Sequence, residues 1–316
     1  MRILITGGAG MLGSSLVPAL ISAGHELVVT DIDLSARQPW GATGPTLGRL
    51  DVRSRDDIAD AFEQVRPHFV LHLAAETSLE ISDADPDHGY LTNAIATKYM
   101  ALACRRAKVP LVYISTAGVF DGTKVGAYTE FDQPNPLNVY GDSKQKGEVF
   151  VRELLDDFYI IRAGWMVGGG PRKDHKFVAR ILQQVREGRT VIHAVTDKLG
   201  TPTYTPDFAE CFLGLIQSEV YGTYHMACGG EGSRFDVARR ILDVLGRDDI
   251  DLVPVTSEFF AEEFPSERPY SEIMRNMALD LQGMNTMRPW PDALADYIHT
   301  HFSDLVVASD PALAPV

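Results

Sequence analysis

The sequence predicts an α/β protein built on a doubly wound parallel sheet, and three observations carry that prediction. Apolar runs alternate with helical patterns from the first residue. Two of those runs, HFVLHLAA and PLVYISTA, are almost continuously apolar, as strands covered on both faces are. A glycine-rich turn follows the first run and opens the first helix. In order, the pattern gives strand 2–6, helix 11–23, strand 26–30, helix 54–65 and strand 68–73, then helix 89–107, strand 110–115, helix 139–156 and strand 158–162. Repeated strand–helix–strand units require crossovers, hence parallel strands with helices on both faces. After Arg162 the rhythm loosens into a turn at Gly168 to Gly170, helices near 174–187 and 206–217, a strand at 222–227, a helix at 234–245 and a terminal helix near 291–302.

Bulk properties bound the function. A chain of 316 residues, 45% hydrophobic, suffices for one large domain or two unequal ones. A formal net charge of −14 argues against nucleic acid or an anionic membrane as partner, because both are bound by clustered Lys and Arg. Cys104, Cys211 and Cys228 are far apart and form no CxxC pair, so no metal site is expected and a reducing cytoplasm fits best. MRILITGG reads as a strand rather than an export signal, and no stretch approaches a membrane span.

The run LITGGAGMLGSSL has the spacing Gly7-x-x-Gly10-x-x-Gly13. A pyrophosphate needs backbone N–H groups aimed at it from a helix N-terminus, and side chains there would hold it away. Glycines also serve any tight strand-to-helix turn. The second strand, ELVVTD, ends in Asp31, where a carboxylate can accept hydrogen bonds from both hydroxyls of an adenosine ribose and would repel a 2′-phosphate. Neither Ile32 nor Asp33 offers a cation to such a phosphate, so NAD(H) is favoured over NADP(H), with Arg37 the residue that keeps NADP(H) open. Asp31 would equally serve as a strand-terminal turn or helix cap. The expected architecture is thus a Rossmann dinucleotide-binding domain over 1–165, rejoined by the chain near 195–227. A smaller C-terminal α/β substrate-binding part would comprise 166–194 and 228–302, before a tail at 303–316 expected to end in disorder.

Tyr140 and Lys144 are four residues apart on a predicted helix, so both side chains lie on one face. An ammonium beside a phenol stabilises the phenolate and is expected to lower its pKa, giving a usable proton donor and acceptor. Lys144 can also hold the nicotinamide ribose hydroxyls. Thr116 leaves the carboxyl end of the 110–115 strand, where doubly wound sheets bind ligands, and can hydrogen-bond a substrate oxygen. The three together describe ketone reduction by hydride transfer. The plain alternatives are an exposed amphipathic pair and a strand-end hydroxyl capping the backbone.

With these motifs in hand, the chain resembles the extended short-chain dehydrogenase/reductases, and within them the dTDP-4-dehydrorhamnose reductases. The resemblance rests on the glycine turn, HLAAET (72–77), YISTAGVFDG (113–122), PLNVYGDSKQKGE (136–148), RAGW (162–165) and DKLGTPTYTPDFAE (197–210). It implies Thr116, Tyr140, Lys144 and Asn93 as the catalytic set, Asn93 helping to position the lysine through water; a buried Asn bonding the backbone is the alternative. Cofactor contacts are expected from Gly7, Gly10, Met11, Leu12, Gly13, Asp31, Ile32, Asp51 and Val52, and from Leu73, Ala74, Ala75, Thr77, Tyr140 and Lys144. Substrate contacts are expected from Thr116, Val119, Phe120, Trp165, Lys176 and Arg268, Trp165 resembling the tryptophan on which the reductases' sugar packs. PRKDHKF adds Arg172, Lys173 and Lys176 as cations for a nucleotide diphosphate, or as a solvated helix start.

The residues after Thr116 depart from the family. Related dehydratases carry an acidic pair there, and the reductases an Asp and an aromatic, whereas this chain has Ala117 and Gly118. Elimination of water is therefore not expected. The resemblance implies an NAD(P)H-dependent reductase of a nucleotide-linked 4-keto-6-deoxysugar. A nucleotide-sugar 4-epimerase, suggested by Ala after the hydroxyl residue, and a non-catalytic NAD(P)-binding regulatory subunit stand as alternatives. The partner is a nucleotide-diphosphate sugar, and a homodimer is compatible with the sequence.

Overall fold

The computed structural model describes residues 1–35, 40 and 44–307. Its centre is a sheet of seven parallel strands in the order β11-β6-β5-β4-β1-β2-β3. These are β1 (Arg2–Thr6), β2 (Glu26–Asp31), β3 (Leu47–Arg49), β4 (Phe69–His72), β5 (Leu111–Thr116), β6 (Phe158–Ala163) and β11 (Gly222–His225). The doubly wound class read from the sequence is the one observed. Side chains alternate across the pleat as a sheet buried on both faces demands. Ile3, Ile5 and Leu71 join one core with α1 (Gly13–Ser22) and α8 (Thr205–Ser218). Leu4, Val70 and Tyr113 join a second core with α2 (Arg55–Val65), α5 (Ala96–Ala107) and α6 (Val139–Leu154).

Local chemistry sets the helix starts. Ser54 accepts a hydrogen bond from Asp57 N at 3.1 Å to begin α2, and Asn138 accepts from Gly141 N at 2.8 Å to begin α6. The helix expected at 89–107 is interrupted. α3 (Leu79–Ala84) and α4 (Pro86–Tyr90) precede a π-helical turn at Leu91–Ile95, and only then does α5 run. Asp85 caps α4 and Pro86 starts it, a break that hydrophobic period alone does not register.

The remaining elements are short. β7 (Trp165–Val167) pairs with β10 (Pro202–Tyr204), β8 (Val191–Val195) with β13 (Asp251–Val255), and β9 (Leu199–Gly200) with both β12 (Gly232–Ser233) and β14 (Ser271–Glu272). α7 (Phe177–Arg186), α9 (Arg234–Leu245), α10 (Met277–Leu281) and α11 (Trp290–His301) surround them. α7 begins three residues later than the pattern suggests, because Asp174 accepts from Lys176 N at 2.9 Å and holds 174–176 in a turn. The expected disorder of the tail falls on 308–316, outside the described residues. No helix among the described residues is long and apolar enough to cross a membrane.

Candidate active site

A cleft of about 1810 Å³ opens at the carboxyl edge of the seven-stranded sheet and runs toward α7 and β14. Its inner end lies where strand order reverses, between β1 and β4, the place at which doubly wound sheets bind ligands. Gly7, Gly10 and Gly13 line it for different reasons. Gly7 has φ +65°, and a Cβ on it would lie 2.5 Å from Ala74 N; a Cβ on Gly13 would lie 2.1 Å from Gly8 O. Both are demanded by the turn's own packing. Gly10 is exposed, and the only atom within 4 Å of a Cβ there is Gly7 O at 3.2 Å. Glycine at this position keeps a face open to the cleft, and no side chain caps the start of α1. The turn therefore fits a dinucleotide pyrophosphate, whose charge suits unpaired amides at a helix start.

Asp31 ends β2 with its carboxylate toward the same turn, accepting from Ala9 N at 3.1 Å and Asp33 N at 3.2 Å. It thus acts as a turn clamp while also lining the cleft beside Met11, Leu12 and Ile32. Asp51, Val52, Leu73, Ala74, Ala75 and Thr77 line the cleft as well. Asp51 is held by Arg53, whose Nε and Nη2 donate at 2.9 and 2.7 Å and keep the carboxyl below its usual range. Arg37 lies outside the described residues.

Thr116, Tyr140 and Lys144 all line this cleft, with Thr116 hydrogen-bonded to the Tyr140 phenol. Thr116 Oγ1 accepts from Gly118 N at 3.1 Å, which fixes its rotamer at the strand end. The Lys144 ammonium lies 4.1 Å above the Tyr113 ring centroid and is almost fully buried. Burial pushes Lys144 down to about 7, against the pull of Glu148. Burial pushes the Tyr140 phenol up to about 12; a hydrogen bond with Thr116 opposes this, and the Glu272 and Glu76 carboxylates add to it. The direction is opposite to the lowered phenol expected from the Tyr-Lys spacing. Loss of water and two nearby carboxylates outweigh the Thr116 hydrogen bond, so the phenol stays in its donating form at neutral pH.

Other expected residues are placed differently. Asn93, in the π-helical turn, accepts from Glu76 N at 2.9 Å and donates to Glu76 O and Ser143 Oγ, both at 3.0 Å. It is buried behind the cleft wall, and the single Tyr113 hydroxyl proton lies between the backbone carbonyls of Asn93 and Lys144, at 3.3 and 3.2 Å. Val119 and Phe120 are not on the cleft. Both are fully buried, and Phe120 stacks on Tyr128 at 4.2 Å with the Arg162 guanidinium 5.1 Å from its ring centroid, so they support the wall from behind. Gly147 and Glu148 are also scaffold. A Cβ on Gly147 would lie 2.3 Å from the Tyr113 hydroxyl, and Glu148 accepts from Ser115 and Arg162 inside the core.

The outer cleft carries Trp165, Lys173, Lys176 and Arg268, whereas Arg172 points elsewhere. Arg268 bridges the cleft's rim, ion-paired with Glu80 of α3 and donating to Ser266 O at 2.9 Å. Cleft residues that sequence reading missed include Glu76, Lys198, Arg234 and Glu272. Arg234 lies 3.5 Å over the Trp165 ring, and Glu272 accepts from the Trp165 indole N–H at 2.7 Å. Arg234 had a legible signal, being a cation on the first turn of a helix, where the macrodipole disfavours it. Glu272 had none, because 107 residues separate it from Trp165.

Comparison with known proteins agrees with this geometry. The family model described as RmlD substrate binding domain matches residues 1–302. A dTDP-4-keto-6-deoxy-D-glucose reductase of Streptomyces niveus is 32% identical, with 93% of this chain and 95% of the relative covered. Crystal structures of dTDP-4-dehydrorhamnose reductases superpose over 95% of this chain and 99% of theirs. The Clostridium acetobutylicum enzyme does so with TM-score 0.85 and 33% identity, and the Bacillus anthracis enzyme, in complex with NADP, with TM-score 0.84 and 31% identity. The chain belongs to the RmlD substrate-binding-domain family, the dTDP-4-dehydrorhamnose reductase family of the extended short-chain dehydrogenase/reductases, and is an NAD(P)-dependent oxidoreductase.

Proposed function

We propose that this chain reduces the 4-keto group of a nucleotide-linked 6-deoxysugar, with Tyr140 as proton donor. The observation that carries the reading is the convergence of Thr116, Tyr140 and Lys144 on the cleft that also holds the glycine turn and Trp165. Bound reduced nicotinamide supplies the hydride. Thr116 and Tyr140 hold the carbonyl oxygen between their hydroxyls, and Trp165 offers an apolar face to the sugar. Tyr140 passes its proton to that oxygen as it gains charge. Lys144, fixed over Tyr113, stabilises the phenolate left behind and donates to the ribose hydroxyls. Lys173 and Lys176 at the outer cleft suit the diphosphate, and the relatives' names support a dTDP-sugar.

NAD(H) is the preferred cofactor in this reading and NADP(H) the second. Asp31 meets the adenosine end with negative charge, and the Nε–Nη2 edge of Arg53 is taken by Asp51. The test is incubation with dTDP-4-keto-6-deoxyglucose and either reduced cofactor. A reductase consumes the cofactor stoichiometrically, and a 4-epimerase shows no net consumption. Tyr140→Phe is expected to lower kcat about a hundred- to ten-thousandfold with cofactor binding retained. Unchanged turnover in that variant would refute the assignment of Tyr140.

A further inference from the structure

β14 places Glu272 on the cleft wall opposite the end of β5. One carboxylate oxygen, Oε2, accepts from the Trp165 indole N–H at 2.7 Å. The other, Oε1, has no hydrogen-bond donor among the described residues. Its surroundings are defined by a missing side chain. An ideal Cβ on Gly118 would lie 3.7 Å from Glu272 Oε1 and 3.4 Å from Thr116 Oγ1, with nothing closer. Gly118 thus leaves a gap with the Thr116 hydroxyl on one side and a free carboxylate oxygen on the other. Ala117 does not fill it, being packed against Ala227 and Met274. This is also where the sequence departs from the reductases it resembles, which carry an acid and an aromatic in place of Ala117 and Gly118.

A carboxylate accepts hydrogen bonds and cannot donate them, so a group entering this gap must bring a donor. Thr116 and Tyr140 fix the carbonyl oxygen, and the gap adjoins Thr116. The substrate atom that reaches Oε1 therefore belongs to the ring position next to the carbonyl. Charge-assisted acceptance by a carboxylate is strong enough to discriminate between a ring carbon that bears a hydroxyl and one that does not.

We propose that Glu272 is the specificity residue of this site: Oε2 fixes the Trp165 indole, and Oε1 accepts a hydrogen bond from a free hydroxyl on the carbon adjacent to the reduced carbonyl. The inference rests on the ketosugar-reductase reading above. It predicts an active site that selects hydroxylated substrates by an acid from β14.

The experiment compares kcat/KM for dTDP-4-keto-6-deoxyglucose with that for the analogue lacking the hydroxyl beside the carbonyl. The wild-type chain is expected to prefer the hydroxylated sugar about ten- to hundredfold. Glu272→Ala frees the indole for both sugars but costs the hydroxylated one a further factor of that size, erasing the preference. Gly118→Ala, which puts a methyl into the gap without meeting backbone, impairs the hydroxylated sugar more than the analogue. Equal losses on both sugars in Glu272→Ala would reduce Glu272 to an anchor for the indole and overturn the proposal, as would a wild-type chain without preference. If Glu272→Ala misfolds, Glu272→Met gives the same comparison with the side-chain length kept and no carboxylate to accept the bond. If neither sugar oxidises reduced cofactor, the reductase reading fails separately, and equilibrium binding of the two nucleotide sugars to wild type and Glu272→Ala decides the role of Glu272.

Discussion

The two sides of the cleft are assembled by different rules. On the cofactor side, all of the lining but the α6 pair Tyr140 and Lys144 lies at a strand end of one sheet: the glycine turn after β1, Asp31 at the end of β2, Leu73 to Thr77 after β4 and Thr116 at the end of β5. Parallel strands point their carboxyl ends one way, so a single topological fact collects these residues. On the substrate side no such fact exists. Trp165 meets Glu272 across 107 residues, through strands of three and two residues, and Arg268 meets Glu80 of α3 across 188. The cofactor side is therefore braced by buried core chemistry, and the substrate side by contacts that line the cleft itself. Substitution behind the first should be read in folding, and substitution on the second in binding.

The strongest way to break that contrast is Glu148→Ala. Glu148 is fully buried and accepts from Ser115 at 2.6 Å and from Arg162 at 2.9 and 2.8 Å, tying α6 to β5 and β6. Removing it leaves the Arg162 guanidinium buried without its counter-charge. The expected loss is about 3–5 kcal/mol of unfolding free energy, seen in the denaturant midpoint. A loss near that of an exposed pair, under about 1 kcal/mol, would show that the wall behind the site does not depend on this pair.

Lys144 gives the next largest effect and belongs to both stability and function. Its pKa is depressed by burial to about 7, whereas an unfolded chain holds the lysine at its ordinary value. Between those values the unfolded state binds the extra proton, so stability rises with pH from about 7 upward. Lys144→Met removes this dependence. Near pH 7 the variant is expected to be more stable than wild type, by roughly 1–4 kcal/mol, with turnover lost. The difference between the two proteins should shrink as pH is raised above about 7, since Lys144 alone distinguishes their proton binding. A difference that does not change with pH would mean that the lysine is hydrated in the folded protein.

How much of this was legible in the sequence follows the same division. The strand–helix rhythm gave the main sheet from β1 through β6, because each strand is a continuous apolar run and each crossover a periodic helix. β3 was missed, since Leu47–Arg49 is too short to show a period. The cofactor-side lining followed from the glycine spacing and the strand ends. On the substrate side Trp165 and Arg268 were named through family likeness and Lys176 from the basic run PRKDHKF, whereas Val119 and Phe120 were misplaced: the 3-10 turn Ala117–Val119 leads both into the core and leaves Gly118 on the cleft. Nor does spacing on a helix reveal how far burial will move a phenol. That depends on what covers it, here Glu76 and Glu272 from distant segments.

Arg234 offers the smallest effect and the finest test of the contrast. Its guanidinium stacks 3.5 Å over Trp165 and 5.1 Å from the Phe177 ring centroid, on the first turn of α9. Burial lowers it to about 10, still a cation at neutral pH. A positive charge at a helix N-terminus opposes the macrodipole and costs folding about 0.3–1 kcal/mol, so its retention is not explained by the stability of α9. Arg234→Met keeps an unbranched side chain over the indole and removes the charge. It should leave the unfolding free energy unchanged or raise it by a few tenths of a kcal/mol. KM for the nucleotide sugar should rise about tenfold, with kcat little altered, because a desolvated cation on an aromatic face and its attraction for a diphosphate are lost together. The opposite pair of results, a destabilised fold with unchanged KM, would place Arg234 with Glu148 as scaffold and move the boundary between the two sides of the cleft past Trp165.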